Sequence, residues 1–506
     1  MGFDFSVFKG NGGRLDEAYV SWLVQEQAVE ANLYYAKLWS YYRNECLETG
    51  VRQQAGLAGG ENRRPYRQAQ EYGLPSRITG MRSSFYGGIL GGSEAEGIQR
   101  KEVVIENDIA WRIDGMVDFL FGKPVLISSS AKEAERAGQI QGILQAVLEA
   151  NGGASYLQEL ALLGSVYGFV DVIVRMGEEV FGVSDSAGAG PKTFAEVLEA
   201  AKHIMLEAIE APRSLPILDE DNYKKIRYYV QHFRQQHNEL GSGEDGVQAE
   251  NYRGQRIGRQ KESHNVEVIG AEWWQRYRDG RLVGEGRNRL GAVPVVHIQN
   301  MPLPGHYEGQ SDVEPLIPLQ DELNTRLSDR ANRVTFQSFK MYLAKGIDGF
   351  EDRVVGPGRL WSTENPEASI EEFGGDDGSE GELAHIKEIR EAMDKTSGVS
   401  SAAAGIIKGR LGNLTSAVAL KITMMGMLAK TERKRQSYGK GIAEICRLVL
   451  RGLDASGIFP TRPEEREIEI YWPSPLPENA MERLEEASLK VQLGVAKETV
   501  LKELGY

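Results

Sequence analysis

Residues 397–451 read SGVSSAAAGIIKGRLGNLTSAVALKITMMGMLAKTERKRQSYGKGIAEICRLVLR, and this stretch decides which fold the chain is expected to adopt. Its first part, Ser397–Gly412, is rich in glycine and small residues and predicts a loop. At 16 residues it is longer than most connections between helices, which favours a functional loop over a plain linker. Its second part, Ala417–Arg451, predicts a very long helix of about 50 Å.

The same stretch concentrates positive charge. Lys408–Arg451 holds ten Lys or Arg and two Glu, a balance of +8, whereas the whole chain has a net charge of −14. A general nucleic-acid binder would be basic overall, so the composition excludes that class. The segregation predicts a protein that presents one restricted surface to a phosphate-like partner. Within it, we expect Lys430–Arg435 to be a solvated helix face or to form salt bridges between subunits.

Two helices and a compact insert precede this stretch. A capping box at Ser311 and Glu314 leads into a helix predicted over Pro318–Leu343. The insert, Lys345–Glu382, contains three strand candidates: Arg353–Val355, Arg359–Ser362 and Ser369–Phe373. A second helix, Leu383–Thr396, returns the chain, so the three parts predict an antiparallel projection.

Further towards the N-terminus, the chain is richer in strands. An apolar stripe predicts a helix that ends at Gly122, and Tyr156–Val166 predicts another. Strands are predicted at Phe169–Val174, Lys225–Phe233, His264–Glu272 and Val293–Ile298, with a tight hairpin turn at Asp279-Gly280. Leu240–Gly258 is polar and glycine-rich and predicts an exposed loop. The fold class expected from this order of elements is α+β, in several segments.

The missing motifs bound the function. No stretch approaches 18 consecutive apolar residues, so no membrane span is expected. Cys46 and Cys446 lack metal-ligand spacing and indicate a cytosolic folding compartment. Phosphate-cradling, nucleophile-elbow and zinc motifs are all missing, and the acidic run from Asp376 to Glu382 favours a solvated loop over a cation site. We therefore expect no catalytic residue, no metal and no cofactor.

Several segments, taken in order, resemble the portal proteins of tailed bacteriophages, in the long-tailed siphophage-like branch. The segments are Asp118-Phe-Leu-Phe-Gly122-Lys-Pro124, Gly309-Gln-Ser311-Asp312-Val-Glu-Pro-Leu, Leu327-Ser328-Asp329-Arg-Ala-Asn332, Ala344-Lys345-Gly346, Thr415-Ser416-Ala417-Val418-Ala419-Leu420-Lys421, Thr431-Glu432-Arg433-Lys434 and Trp472-Pro-Ser-Pro-Leu-Pro477. The resemblance spans about 105–506.

The resemblance implies a fold with wing, stem, clip and crown regions. The implied regions are a wing at 1–310 with its β-rich part at about 165–300, a stem helix at 311–344, a clip at 345–382, a second stem helix at 383–396, a tunnel loop at 397–412, a long helix and wing return at 413–470, and a crown at 471–506.

The resemblance also implies a non-enzymatic subunit of a ring, usually of twelve copies, at one capsid vertex of the virion. The implied partners are double-stranded DNA passing through the channel, other copies of the chain, the terminase large subunit, head-completion or adaptor proteins, and the major capsid and scaffolding proteins, with no membrane. DNA-proximal residues of the tunnel loop would be Lys408, Arg410, Ile406, Ile407 and Leu411. Weaker tunnel-lining candidates are Arg390, Lys395 and Lys421.

Two other hypotheses stay open at this point. Another virion protein, such as a head–tail joining ring or a capsid-interior protein, would lack a stem long enough for DNA and would not dock a terminase. An enzyme acting on nucleic acid would show magnesium-dependent nuclease or ATPase turnover that one carboxylate substitution abolishes.

Overall fold

A computed structural model of the chain describes residues 3–11, 15–44, 104–177, 180, 193–239, 249–250, 256–257, 259–338, 341–345, 366–373, 380–401, 421–476, 480–495, 497 and 500. These residues form two compact units. Unit 1 is drawn from Met1–Arg43, Ile109–Pro315 and Ser397–Tyr506, and unit 2 from Asn44–Asp108 and Leu316–Thr396.

The described residues contain helices and strands in an irregular order. The helices are α1 Glu17–Trp22, α2 Ala28–Arg43, α3 Ala110–Phe121, α4 Ala134–Ala150, α5 Ala154–Tyr167, α6 Phe194–Lys202, α7 Ile317–Ser338, α8 Glu380–Ser397, α9 Met425–Ala455 and α10 Ala480–Gln492. The strands are β1 Leu126–Ser129, β2 Phe169–Met176, β3 Ile204–Ile209, β4 Ser214–Leu218, β5 Ile226–Glu239, β6 Ala249–Glu250, β7 Arg256–Ile257, β8 Arg259–Ile269, β9 Trp273–Arg278, β10 Arg281–Arg287, β11 Val295–Gln299, β12 Met341–Lys345, β13 Ser369–Phe373 and β14 Ile468–Tyr471.

Antiparallel sheets organise unit 1. Five strands pair in the order β10-β9-β8-β5-β4, three pair as β11-β2-β3, and β1 pairs with β14. The predicted hairpin turn is confirmed, because Asp279 and Gly280 both have positive φ, 49° and 76°, as a two-residue turn of this class requires. Helices and antiparallel sheets together confirm the α+β class.

The N-terminal segment forms part of the core of unit 1. Phe3, Phe5 and Phe8 are buried against one face of the five-stranded sheet, and Tyr277 of β9 makes an edge-to-face contact with Phe3 at 4.9 Å. Its hydroxyl donates a hydrogen bond to the carbonyl of Asp4. Val20 of α1 is buried in the same cluster, so the N-terminal helices pack along the sheet.

Buried charges link the two larger sheets of unit 1. Arg175 of β2 makes a bidentate ion pair with Glu267 of β8, at 3.0 and 2.6 Å. Burial raises the pKa of Glu267, but the hydrogen bonds and positive charge of Arg175 outweigh it and hold that pKa below its usual range. The carboxylate of Asp171 is also buried and accepts from the hydroxyls of Tyr229 and Tyr307, each at 3.0 Å. The interface between the sheets is therefore specified by paired polar groups.

The structure corrects three predicted boundaries. The helix predicted over Pro318–Leu343 ends at Ser338, and Met341–Lys345 instead form β12, which pairs antiparallel with β13. That pairing joins residues far apart in sequence, which local periodicity cannot detect. The long helix begins at Met425 and runs to Ala455, after a separate helical turn at 421–423. Two short strands, β6 and β7, pair within the predicted loop Leu240–Gly258.

Other predicted elements agree with the structure or lie outside it. The strand candidate Ser369–Phe373 is confirmed with both of its ends, and α3 ends at Phe121, before Gly122. The strand candidates Arg353–Val355 and Arg359–Ser362 lie outside the described residues. No helix in the described ranges is long and apolar enough to cross a membrane. The boundaries of the wing, stem, clip and crown stay predictions.

We expect the protein to lose stability in acid because of His232 in β5. Its ring is buried, and neither ring nitrogen has a hydrogen-bond partner among the residues that the structure describes. Burial, reinforced by the charges of His264 and Arg234, lowers the pKa of His232 from 6.5 to about 4. Between these values the unfolded chain binds the extra proton, so the free energy of unfolding falls with pH from about 6.5 to about 4, by about 3 kcal/mol in all.

The measurement is the urea midpoint at pH 7 and pH 4.5 for the parent chain and for His232→Phe. The variant should lose less stability in acid, because its ring cannot be protonated. The matched control is His203→Gln, which removes an exposed imidazole. An acid loss in His232→Phe equal to that of the parent would refute the assignment to His232.

Candidate functional site

The segment predicted to approach DNA is described only at its borders. The structure gives Ser397–Ser401 on one side and resumes at Lys421 on the other. Outside the described residues lie Lys408, Arg410, Ile406, Ile407 and Leu411. The described residues on either side show how the two ends of this segment are attached to unit 1.

Asp312 is the centre of that attachment. Its carboxylate receives two lysines of α9, with Lys430 Nζ at 2.8 Å from Oδ1 and Lys434 Nζ at 2.5 Å from Oδ2. Lys434 is fully buried, and its ammonium also donates to Ser165 Oγ at 2.7 Å. Asn300 Nδ2 donates to Oδ2 at 3.0 Å. A buried ammonium is stable only when it is paired and hydrogen-bonded in this way. We call Asp312, Lys430 and Lys434 the lysine anchor.

The sequence around Asp312 explains its position. Ser311 Oγ accepts from the backbone N–H groups of Val313 and Glu314, which confirms the Ser311 half of the predicted capping box. Gly309, two residues before Ser311, requires close backbone packing, because a Cβ there would lie 2.4 Å from the carbonyl oxygen of Gly168. The GQSD stretch is therefore fixed against the end of α5 by its backbone.

The charge states of the lysine anchor follow from burial and pairing. Burial raises the pKa of Asp312, but the charges of Lys434 and Lys430 outweigh it and hold that pKa well below its usual range. Burial lowers the pKa of Lys434 to about 8, against the opposing effect of Asp312. Asp312 is thus ionised at neutral pH, and Lys434 is mostly protonated.

The lysine anchor also holds the residues that precede 402–420. Lys430 Nζ donates to the carbonyl of Ser397 at 2.7 Å. Val399 is buried against Met116 and Met427, the last of which belongs to α9. Since α9 follows residues 402–420 and Ser397–Val399 precede them, both borders of that segment are fixed to the same few residues.

The prediction that Lys430–Arg435 form a solvated helix face is wrong. Lys430 and Lys434 point into unit 1 onto Asp312, and Arg435 is largely buried, with its guanidinium 5.4 Å from the ring centre of Trp472. Arg433 and Glu432 alone in this run are exposed. The +8 balance therefore overstates the exposed charge, because Asp312 lies outside the counted stretch and neutralises part of it.

The three tunnel-lining candidates occupy different environments. Arg390 of α8 forms ion pairs within unit 2, at 2.5 Å with Glu106 and 3.6 Å with Asp108. Lys395 and Lys421 are exposed. The placement of all three along a channel stays a prediction.

Two motifs far apart in sequence come together in unit 1. Phe121 of the DFLFGKP motif lies 5.2 Å from Trp472 of the WPSP motif, measured between ring centres. Lys123 Nζ donates to the carbonyl of Ser474 at 2.5 Å, and Arg435 donates to that of Pro473. The carbonyls of Pro473 and Ser474 can accept these hydrogen bonds because neither residue is paired in a strand.

A polar ladder in unit 2 was missed by sequence reasoning. Gln320, Asn324 and Ser328 lie one turn apart on α7, and all three are buried. Their side-chain oxygens accept from the backbone N–H groups of Asp108, Glu106 and Val104, at 3.1, 3.0 and 2.9 Å. One turn of helix, about 5.4 Å, approximates the spacing of alternate residues in an extended chain, so the ladder satisfies every second N–H. The sequence signal for the ladder is the spacing of its amide and hydroxyl residues at positions i, i+4 and i+8, which places them on one face of the helix.

The described residues contain no group of three or more His, Cys, Asp and Glu that could hold a metal ion. The shifted carboxylate and ammonium of the lysine anchor are engaged with each other. Their arrangement positions backbone and holds α9, which is a structural role.

Comparisons with known proteins identify a matching family and a similar solved structure. The model of the family described as phage portal protein, SPP1 Gp6-like, matches residues 110–505. A solved structure described as the neck of an empty GTA particle computed with C6 symmetry matches at 14% identity and a TM-score of 0.39, covering 85% of this chain and 92% of that one. A comparison with curated proteins finds no match.

Members of this family are structural and form oligomeric rings at the head–tail junction of phage particles. The matched range contains α3, the lysine anchor and all of α9, and it covers more than half of the chain. The chain therefore belongs to the phage portal protein family, SPP1 Gp6-like, and is a virion head–tail connector protein without enzymatic activity.

Proposed function

We propose that the chain is the subunit of a portal ring through which double-stranded DNA is packaged and ejected, with the segment around Lys408 and Arg410 next to the DNA. The observation that carries this proposal is the lysine anchor. It fixes both borders of residues 402–420 to one buried carboxylate. A segment presented to moving DNA must be held firmly at its ends while the force of translocation acts on it.

The net charge of the chain favours DNA that slides through the ring rather than DNA that binds tightly to it. Each phosphate that a protein neutralises strengthens salt-dependent affinity, and a channel must release DNA at every step. The chain has a net charge of −14, and within the lysine anchor Asp312 neutralises part of the positive charge of the basic stretch Lys408–Arg451. A mostly acidic wall with few exposed cations suits a channel that DNA passes in both directions.

The same proposal includes partners and site. The ring, of about twelve copies as in related portals, would stand at one capsid vertex after folding in the host cytoplasm. The clip, 345–382, would meet head-completion proteins and the terminase large subunit, which supplies ATP hydrolysis. Capsid and scaffolding proteins would surround the ring.

Deleting Ile406–Arg410 tests the DNA-proximal role. We expect rings to assemble as in the parent, because the lysine anchor stays intact, and DNA packaging in a reconstituted or phage-complemented assay to fall at least tenfold. The measurements are negative-stain imaging and the amount of nuclease-protected DNA. The matched control deletes residues of similar number from the exposed turn at 219–223.

Two results would contradict the proposal. Normal packaging by rings that lack Ile406–Arg410 would remove that segment from the DNA path, and failure of those rings to form would make it a subunit contact instead. Magnesium-dependent nuclease or ATPase turnover by the purified protein, abolished by one carboxylate substitution, would overturn the non-enzymatic role.

A further inference from the structure

The N-terminal helices carry an exposed apolar stripe that no described residue of unit 1 covers. Tyr19, Trp22, Val29 and Leu33 recur at helical spacing along α1 and α2, and Leu33 is 60% exposed. Their opposite face, with Val20, is buried on the sheet. Aromatic and apolar side chains exposed in one row are typical of interaction surfaces.

On the helices themselves, the charged side chains that flank this stripe are all negative. Residues 15–36 contain Asp16, Glu17, Glu26 and Glu30 but no Lys or Arg. Beside it, an open groove is lined by Val29 and Leu33 on the helix side and by Pro212 and Phe233 on the other. The far side of the groove also carries Arg234 and Arg213, and Arg213 is paired with Glu207 and Glu210. We call the stripe on the helices, without the groove, the acidic stripe. An occupant should therefore bring apolar side chains flanked by positive charge.

A second surface of unit 1 has that character. The hairpin β9–β10 is the edge of the five-stranded sheet, and Leu282 and Val283 at its tip are 45% and 53% exposed. Residues 273–289 contain five Arg and two acidic residues, a balance of +3. We call this surface the basic hairpin.

The basic hairpin is built against pairing with another strand. The register of β10 shifts between Leu282 and Gly284, which leaves Val283 as a bulge on the edge. Bulges and charged side chains are the usual protection of an edge strand. Its partner is therefore more suitably a helix that contacts side chains than a strand that extends the sheet.

We propose that the acidic stripe of one copy binds the basic hairpin of the next copy around the ring. A ring with one repeating contact needs two different, complementary surfaces on each subunit. The acidic stripe is a helical surface, the basic hairpin is a protected sheet edge, and their charges are opposite. This inference rests on the proposed ring and adds which surfaces close it.

Charge reversal on each side, alone and together, tests the contact. The variants are Glu26→Arg/Glu30→Arg, Arg281→Glu/Arg287→Glu and the combination of all four. Size-exclusion chromatography with light scattering and negative-stain imaging measure the concentration at which half of the protein is in rings. We expect each double variant to raise it at least about tenfold and the combination to return it to within about threefold of the parent. The control, Glu220→Arg/Asp221→Arg, makes the same charge change in an exposed turn and should leave it unaltered.

The outcomes separate this inference from the proposed function. If the parent forms rings and both double variants form them at the same concentration, the acidic stripe and the basic hairpin are not the contact. If the double variants fail with unchanged circular dichroism and the combination does not recover, the two surfaces do not bind each other. A parent that stays monomeric at high concentration and varied salt would overturn the portal ring itself.

Discussion

Asp312→Ala should lower the free energy of unfolding by about 3–5 kcal/mol, because it leaves a fully buried ammonium without its anion. Lys434 has Ser165 Oγ as its remaining protein partner, and a neutral hydroxyl cannot replace a carboxylate at 2.5 Å. Lys430 is less affected, since its side chain keeps some exposure and a bond to Ser397. The measurement is urea unfolding followed by tryptophan fluorescence and circular dichroism at pH 7.

Two further variants identify the cause. Asp312→Leu/Lys434→Met removes both fully buried charges and should recover most of the loss, since the Lys430 ammonium that remains is partly exposed and keeps its hydrogen bond to Ser397. Arg447→Ala removes an exposed ion pair with Glu444 on the same helix and should change stability by less than about 1 kcal/mol. If Asp312→Ala costs no more than Arg447→Ala, the lysine anchor does not stabilise unit 1.

Gly168→Ala should be at least as damaging. Gly168 has φ of +98°, and a Cβ there would lie 2.2 Å from the carbonyl oxygen of Gly309. The clash is with backbone that also carries Asp312, so relief requires moving the lysine anchor. We expect a loss above about 3 kcal/mol, combining left-handed strain with displaced packing, or failure to accumulate as folded protein.

Gly457→Ala is the matched control for that substitution. Gly457 also has a positive φ, +69°, but a Cβ there would meet no atom within 4 Å. Its cost should therefore be the conformational part alone, about 1–2 kcal/mol. Equal denaturant midpoints for the two variants would show that the contact between Gly168 and Gly309 is unimportant.

Local elements were predictable because their signals are local. The apolar stripe of α3, the buried run of β2 and the Asp279-Gly280 turn each depend on neighbours within a few residues, and the structure confirms all three. The end of α7 was not predictable in this way. Met341–Lys345 could continue a helix by composition, and only pairing with Ser369–Phe373 makes them a strand.

The candidate site divides in the same manner. The sequence marked GQSD, the capping role of Ser311 and the basic run at Lys430–Arg435 as features of interest. It could not indicate that two of those lysines turn inward, since lysine on a helix is ordinarily solvated. The polar ladder was hidden for a related reason, because its acceptors bind backbone groups more than 200 residues away in sequence.

The sequence by itself determined the α+β class, the two helices that flank the insert, the long basic helix, and the family. Periodicity, turn residues and ordered motifs are sufficient for these. Only the tertiary structure decided what the basic run Lys430–Arg435 does within unit 1. A charge is exposed or neutralised according to what packs against it, and for Lys434 that is a carboxylate 122 residues earlier in the chain.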